Sequence, residues 1–249
     1  MQIITNYQPQ ADLLKDRVIL VTGAGSGIGA TAAETFAAHG ATVILLGRTV
    51  KKLENIYDSI AQKGYPEAAI YPMDLEGAKS SDYEDLANTL DKEFGKLDGL
   101  LHNAAQLGAR MPIEQYDLAL WARLMQVNLT APFLLSRSCI PLLKKSTDAS
   151  MIFTTSGVAH KGRAYWGAYG ITKAAGDNLM EILADELENN TSIRVNSIDP
   201  GRVRTQMRRL AYPAEDPNLL PEAKDIMVTY LYLMGSDSRA VNGEIYQVA

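Results

Sequence analysis

Val18-Ile19-Leu20-Val21-Thr22-Gly23-Ala24-Gly25-Ser26-Gly27-Ile28-Gly29 runs from an apolar, β-branched segment straight into four glycines, and Ala30-Thr31-Ala32-Ala33 continues as a helix start. A strand that turns through glycines into a helix brings the free N–H groups and the positive dipole end of that helix close to a ligand. This suits a pyrophosphate and hence a dinucleotide. The spacing Gly23-x3-Gly27-x-Gly29 departs from G-x-G-x-x-G, because Ile28 stands where that pattern needs glycine. Taken alone, the loop is also compatible with a plain strand-to-helix turn.

Outward from this loop, short β-branched runs alternate with helical patterns. The runs lie at 17–22, 41–46, 69–73, 97–102, 150–154, 193–198 and 244–248, and the helical stretches at 29–39, 50–63, 82–94, 116–143, 169–189 and 222–234. Repetition of strand, helix, strand predicts one doubly wound α/β domain of about seven parallel strands with helices on both faces. The 249 residues then form one domain, 1–249, with an N-terminal extension at 1–16 and a variable loop at 205–222 that is expected to contact substrate. The Pro-rich stretch 212–221 is too short for a linker and reads as a surface loop near the mouth of a site.

With 47% hydrophobic and 21% charged residues the chain is of ordinary globular composition, and its net charge of −5 argues against a nucleic-acid binder. Residues 1–6 carry neither a basic leader nor an apolar core, and no apolar run is expected to reach membrane-spanning length, so a cytoplasmic protein is expected. The single cysteine, Cys139, sits beside Ile140-Pro141-Leu142-Leu143 and reads as core. His39, His102 and His160 lack ligand spacing, so no metal site is expected.

The second strand ends in Leu45-Leu46-Gly47-Arg48-Thr49, where an acidic residue would grip the ribose of NAD. Arg48 instead offers a cationic fork suited to the 2′-phosphate of NADP, with Ser26 and Thr49 able to add hydroxyls. NADP(H) is thus preferred and NAD(H) possible, while a solvated surface arginine is the plain reading of Arg48. Tyr169 and Lys173 are four apart on one helix face, with Ser156 thirteen residues upstream. An ammonium beside the phenol is expected to favour its ionised form and make Tyr169 a usable acid or base. Pro132, four after Asn128, supplies no N–H to the Asn128 carbonyl, which either leaves it to hold a water or merely kinks the helix.

Taken together, Thr22-Gly23-x3-Gly27-x-Gly29, Asn103-Ala104-Ala105, Asn128, Ser156, Tyr169-x3-Lys173 and Pro200-Gly201 resemble the short-chain dehydrogenase/reductase family from about Arg17 to Val248. The likeness extends to its YciK-like branch of bacterial oxidoreductases through Asn6-Tyr7-Gln8-Pro9 and Tyr165-Trp166-Gly167-Ala168-Tyr169.

The resemblance implies a Rossmann fold and hydride transfer between nicotinamide and a carbonyl or alcohol substrate. Tyr169 would be acid or base, Lys173 the ribose anchor that lowers the phenol's pKa, Ser156 the hydrogen-bond donor to the carbonyl, and Asn128 a support for a water relay. Gly23, Ser26, Gly27, Ile28, Gly29, Arg48, Asp74, Asn103, Pro200, Gly201 and Thr205 would line the cofactor, Asp74 at adenine and Thr205 at the nicotinamide amide. Ala105 departs from the usual glycine. A homotetramer is implied, with a homodimer next.

Tyr165 and Trp166 read as pocket wall or as ordinary packing. Lys161, Arg163, Arg202, Arg204, Arg208 and Arg209 cluster in segments that would form a positive rim selecting anionic carbonyls, or are simply solvated or paired. Two other functions remain open at this level. One is a non-catalytic dinucleotide-binding redox sensor and the other a structural or assembly role.

Overall fold

The computed structural model describes residues 1–4 and 6–248; Thr5, within the N-terminal stretch read above, and Ala249 lie outside the described residues. Seven strands form one all-parallel sheet: β1 Val18–Thr22, β2 Thr42–Gly47, β3 Ala69–Pro72, β4 Gly99–His102, β5 Ala149–Thr154, β6 Ile193–Asp199 and β7 Ile245–Gln247. Their spatial order is β3-β2-β1-β4-β5-β6-β7. Strands buried on both faces carry no polar alternation, which is why Val-Ile-Leu-Val and Met-Ile-Phe read as plain apolar runs.

Successive side chains still point to opposite faces and feed two cores. Leu20, Leu100, Met151 and Val195 pack under α3 Ser80–Phe94, α5 Ala131–Leu143 and α7 Gly167–Glu188. On the other face, Ile19, Val21, Leu101 and Ile152 meet α1 Gly27–Ala38, α2 Val50–Gln62 and α9 Met227–Met234. Cys139 is buried in the first of these cores, where burial pushes its thiol up to about 12. The extension at 1–16 is tied to the sheet: Gln2 bridges Tyr246, and Tyr7 donates to Asp237 at 2.6 Å.

The structure differs from the sequence reading in three places. The expected helix 116–143 is α4 Leu118–Met125 joined to α5 through a wider π turn at Gln126–Thr130. The joined helix, Leu118–Leu143, has 26 residues and contains an 18-residue stretch of mean hydropathy 1.2, long and apolar enough by composition to cross a membrane, which corrects the expectation that no such stretch exists. In the fold it packs beside α3 and α7. Two short helices, α6 Gly157–His160 and α8 Gln206–Ala211, form where only loops were expected, since helices this short depend on tertiary packing more than on local pattern.

All seven strands point the same way, so the sheet has chemically distinct ends. At the N-terminal end, Asp148 receives Arg17 Nη1 and Arg194 Nη2 at 3.0 Å each, with Arg239 Nε at 3.3 Å. Burial alone would raise the Asp148 carboxyl, but Arg17 and Arg194 together hold it below the usual carboxylate range. A lowered folded-state pKa means that the stabilisation is present above pH 4 or so and is lost as pH falls. Replacing Asp148 by Ala leaves the buried Arg194 without its carboxylate and is expected to cost about 3–5 kcal/mol near neutral pH. Urea midpoints should reveal that gap, and it should narrow as the medium is made acidic; a gap below about 1 kcal/mol at neutral pH would contradict this account.

Candidate active site

At the opposite end of the sheet, a cleft of about 630 Å³ opens over β1, β2, β4, β5 and β6. Its first wall is the glycine loop. Gly23 and Gly27 have φ of +69° and +56°, a conformation that strains residues with a Cβ. At Gly29 a Cβ would stand 2.4 Å from the Gly23 carbonyl oxygen and 2.5 Å from Asn103 Nδ2, so α1 can start this close to β1 and β4 only at glycine. Thr22 fixes the neighbouring wall: its Oγ1 accepts from Asn103 N at 2.9 Å and Ala104 N at 3.0 Å and donates to Leu101 O at 3.1 Å.

All but one of the residues expected to hold a cofactor line this cleft: Gly23, Ser26, Gly27, Ile28, Arg48, Asp74, Asn103, Tyr169, Lys173, Pro200, Gly201 and Thr205; Gly29 does not, and is packed against Gly23 and Asn103. Lys52 adds a second cation beside Arg48 that the sequence reading missed. Its signal was its place in the first turn of the helix after Arg48. Thr205 also caps α8, its Oγ1 accepting from Arg208 N at 3.1 Å. The arrangement fits a dinucleotide with an additional phosphate, because glycines without side chains open one end to a pyrophosphate and two cations line the same cleft.

Ser156 immediately precedes α6, and Tyr169 and Lys173 lie on consecutive turns of α7, so all three meet at the end of β5. Lys173 is 9% exposed; its Nζ donates to the Thr154 carbonyl at 2.6 Å and stands 5.8 Å from the Tyr169 ring centre. Burial pushes the ammonium down to about 8, opposed by Asp177. Tyr169 moves the other way: burial pushes its phenol up to about 12 and Asp199 adds to the rise, while the Ser156 hydroxyl pulls it down. Burial thus works against the lowering that Lys173 and a bound nicotinamide were expected to give the phenol. Loss of water outweighs a lysine whose nitrogen is turned to a backbone carbonyl.

Asn128 sits inside the π turn, its Oδ1 accepting from Gln106 N at 2.8 Å and its Nδ2 donating to Gln106 O at 2.9 Å and Thr172 Oγ1 at 3.2 Å. Beside it lies a second cavity of about 20 Å³, bordered by Pro132, Thr172, Lys173, Gly176 and Asp177. That space can hold a water. Asp177, four after Lys173, was not singled out from the sequence although the spacing shares a helix face. It accepts from Thr155 Oγ1 at 2.7 Å and Ser197 Oγ at 2.8 Å.

Two expectations about the rim are corrected. Tyr165 does not line the cleft; it is 56% exposed with φ of +73°, whereas Trp166 is buried in the cleft wall. Of the six cationic residues proposed as a positive rim, Arg208 alone lines the cleft. Its Nε and Nη2 donate to Glu215 Oε2 and Oε1 at 2.6 and 2.7 Å, and Arg204 pairs with Glu222.

The short chain dehydrogenase family model matches residues 17–216. The oxidoreductase YciK of Escherichia coli is 45% identical over 238 residues, covering 96% of this chain and 94% of that protein. A short chain dehydrogenase structure from Pseudomonas syringae superposes with a TM-score of 0.96 at 51% identity, covering 98% and 99% of the two chains. One from Escherichia coli CFT073, complexed with NADPH, gives a TM-score of 0.93 at 45% identity, covering 96% and 99%.

Thr22→Val keeps the shape at position 22 but leaves the Asn103 and Ala104 amides without their acceptor, which is expected to cost about 1–3 kcal/mol. Hydrogen exchange at those two amides should accelerate in the variant; unchanged protection would show that Thr22 does not hold this wall.

Proposed function

The chain belongs to the short chain dehydrogenase family, and on that premise we propose that it is an NADP(H)-dependent oxidoreductase acting between a carbonyl and an alcohol. One observation carries the reading: a glycine cradle bordered by Arg48 and Lys52 and a Ser156, Tyr169 and Lys173 cluster occupy two ends of the same cleft. The NADPH complex of the Escherichia coli CFT073 relative supports the same cofactor here. Bound NADPH supplies the hydride, and the chain supplies binding, orientation and the proton.

Arg48 and Lys52 would grip the 2′-phosphate, the first turn of α1 the pyrophosphate, and Asp74 the adenine side. Asn103, Pro200, Gly201 and Thr205 would border the nicotinamide half, and Lys173 would hold its ribose. Ser156 directs a hydroxyl to the substrate oxygen, where negative charge develops. Tyr169 then gives its proton to that oxygen. A phenol held at about 12 is protonated at neutral pH, which is the form the reductive direction needs. The small cavity between Asn128 and Lys173 gives a place for the water through which a proton returns.

A redox sensor on the same fold needs the cradle but has no use for a buried lysine and tyrosine converging on its far end, so the enzymatic reading is preferred. Tyr169→Phe should lower kcat about 10²–10⁴-fold while leaving the NADPH dissociation constant within about threefold. Arg48→Ala should weaken NADPH about tenfold or more and leave NADH nearly unchanged. Retained turnover in the first variant would count against the role of Tyr169, and equal loss of both cofactors in the second against that of Arg48.

The reading includes a homotetramer, with a homodimer as the smaller form, in the cytoplasm. Phe133, Ile171 and Ile182 are exposed apolar residues on the long helices α5 and α7, which favours burying them against another copy. Light scattering should give an oligomeric mass that drops for Phe133→Glu combined with Ile171→Glu; a monomeric wild type would contradict it.

A further inference from the structure

Beyond Ser156 and Tyr169 the cleft continues between Leu107, Trp166, Met207, Leu210 and Tyr212. The rings form a continuous panel, Trp166 lying 5.7 Å from Tyr169 and 6.0 Å from Tyr212 between centroids. Among the described residues lining this end, Lys173 and Arg208 carry the positive charge. Lys173 is turned to the Thr154 carbonyl. Arg208 lays its guanidinium over the Tyr212 ring at 3.8 Å and gives two donors of its fork to Glu215.

Glu215 raises the Arg208 pKa through its hydrogen bonds and is itself lowered, first by Arg208 and then by Arg202, whose Nη1 stands 3.9 Å from Oε1. Arg202 is exposed and does not line the cleft, so at the cleft wall the charge of Arg208 is met by Glu215. Arg110 is held over Trp166 and Tyr212 at 5.0 and 5.2 Å, donates to the Ala211 carbonyl, and does not line the cleft.

A substrate carboxylate entering here would have to displace Glu215 from a bidentate pair or sit beside it with like charge, and either is unfavourable. An apolar body gains burial against the aromatic panel, about 25 cal/mol for each Å² removed from water. We propose that this site selects uncharged carbonyl compounds bearing an aromatic or similarly apolar body and discriminates against anionic ones. The proposal rests on the reductase reading above and sharpens it to a substrate class. It also gives the Arg208 and Glu215 pair a role, which is to close the substrate end with a neutral strap.

Methyl benzoylformate and benzoylformate share a phenyl ketone and differ only in an ester against a carboxylate, which makes them the test pair. With NADPH, kcat/KM should favour the ester about tenfold or more, and Glu215→Gln, which frees Arg208, should shift the ratio toward benzoylformate about threefold or more. Binding is read independently by quenching of tryptophan emission in the NADP⁺-loaded protein, with Trp166→Phe as control. The ester should again act at about tenfold lower concentration.

Binding of the ester without any turnover would uphold the substrate class and overturn the reductase reading. Benzoylformate bound or reduced as well as the ester would overturn the substrate class and leave the reductase intact. Silence of both probes in binding and in turnover, or a Glu215→Gln variant with an unchanged ratio, would also overturn it.

Discussion

A lysine ammonium with almost no contact with water is the constraint around which the rest is arranged. Lys173 is held at the end of β5 by one backbone carbonyl, with Asp177 as the carboxylate that opposes the effect of its burial. Asp177 is itself buried and is satisfied by Thr155 and Ser197, hydroxyls from the loop after β5 and from β6. The position of α7 across the sheet is thus fixed by charge and hydrogen bonding as well as by the packing of Met180, Leu183 and Leu187. Tyr169, one turn earlier, is carried to the cleft by the same registration.

Parallel topology explains why the chemistry gathers at one end. Each strand delivers its C-terminal loop to the same side, so residues as distant in sequence as Gly23, Asn103, Ser156 and Gly201 border one space. The opposite end is closed by Asp148 and its arginines, a cluster that ties the starts of β1, β5 and β6 together. Rigid closure at one end and open loops at the other is the division of labour expected of this architecture.

Much of this was legible in the residues. Apolar strands buried on both faces and four glycines after the first of them are strong local signals, and the Tyr169 and Lys173 spacing depends on helix geometry alone. What was not legible depended on three-dimensional surroundings. Lys173 was expected to lower the phenol's pKa, but sequence spacing says nothing about how far both groups are desolvated. The cationic segments near the cleft suggested an anion site, yet Glu215 cancels Arg208 through a pairing set by the fold of the 205–222 segment. Helices α6 and α8 are too short to announce themselves. The Leu118–Leu143 helix was read in outline, but neither its π turn nor its overall apolar character was drawn from the pattern.

The central claim is that one cleft holds a phosphate cradle and a proton donor at opposite ends of a single extended ligand. A crystal structure of the protein grown with NADPH tests it most directly. The account predicts the pyrophosphate over residues 26–29, the 2′-phosphate between Arg48 and Lys52, and the nicotinamide facing the hydroxyls of Tyr169 and Ser156. A nicotinamide found away from Tyr169, or a 2′-phosphate that touches neither cation, would contradict it.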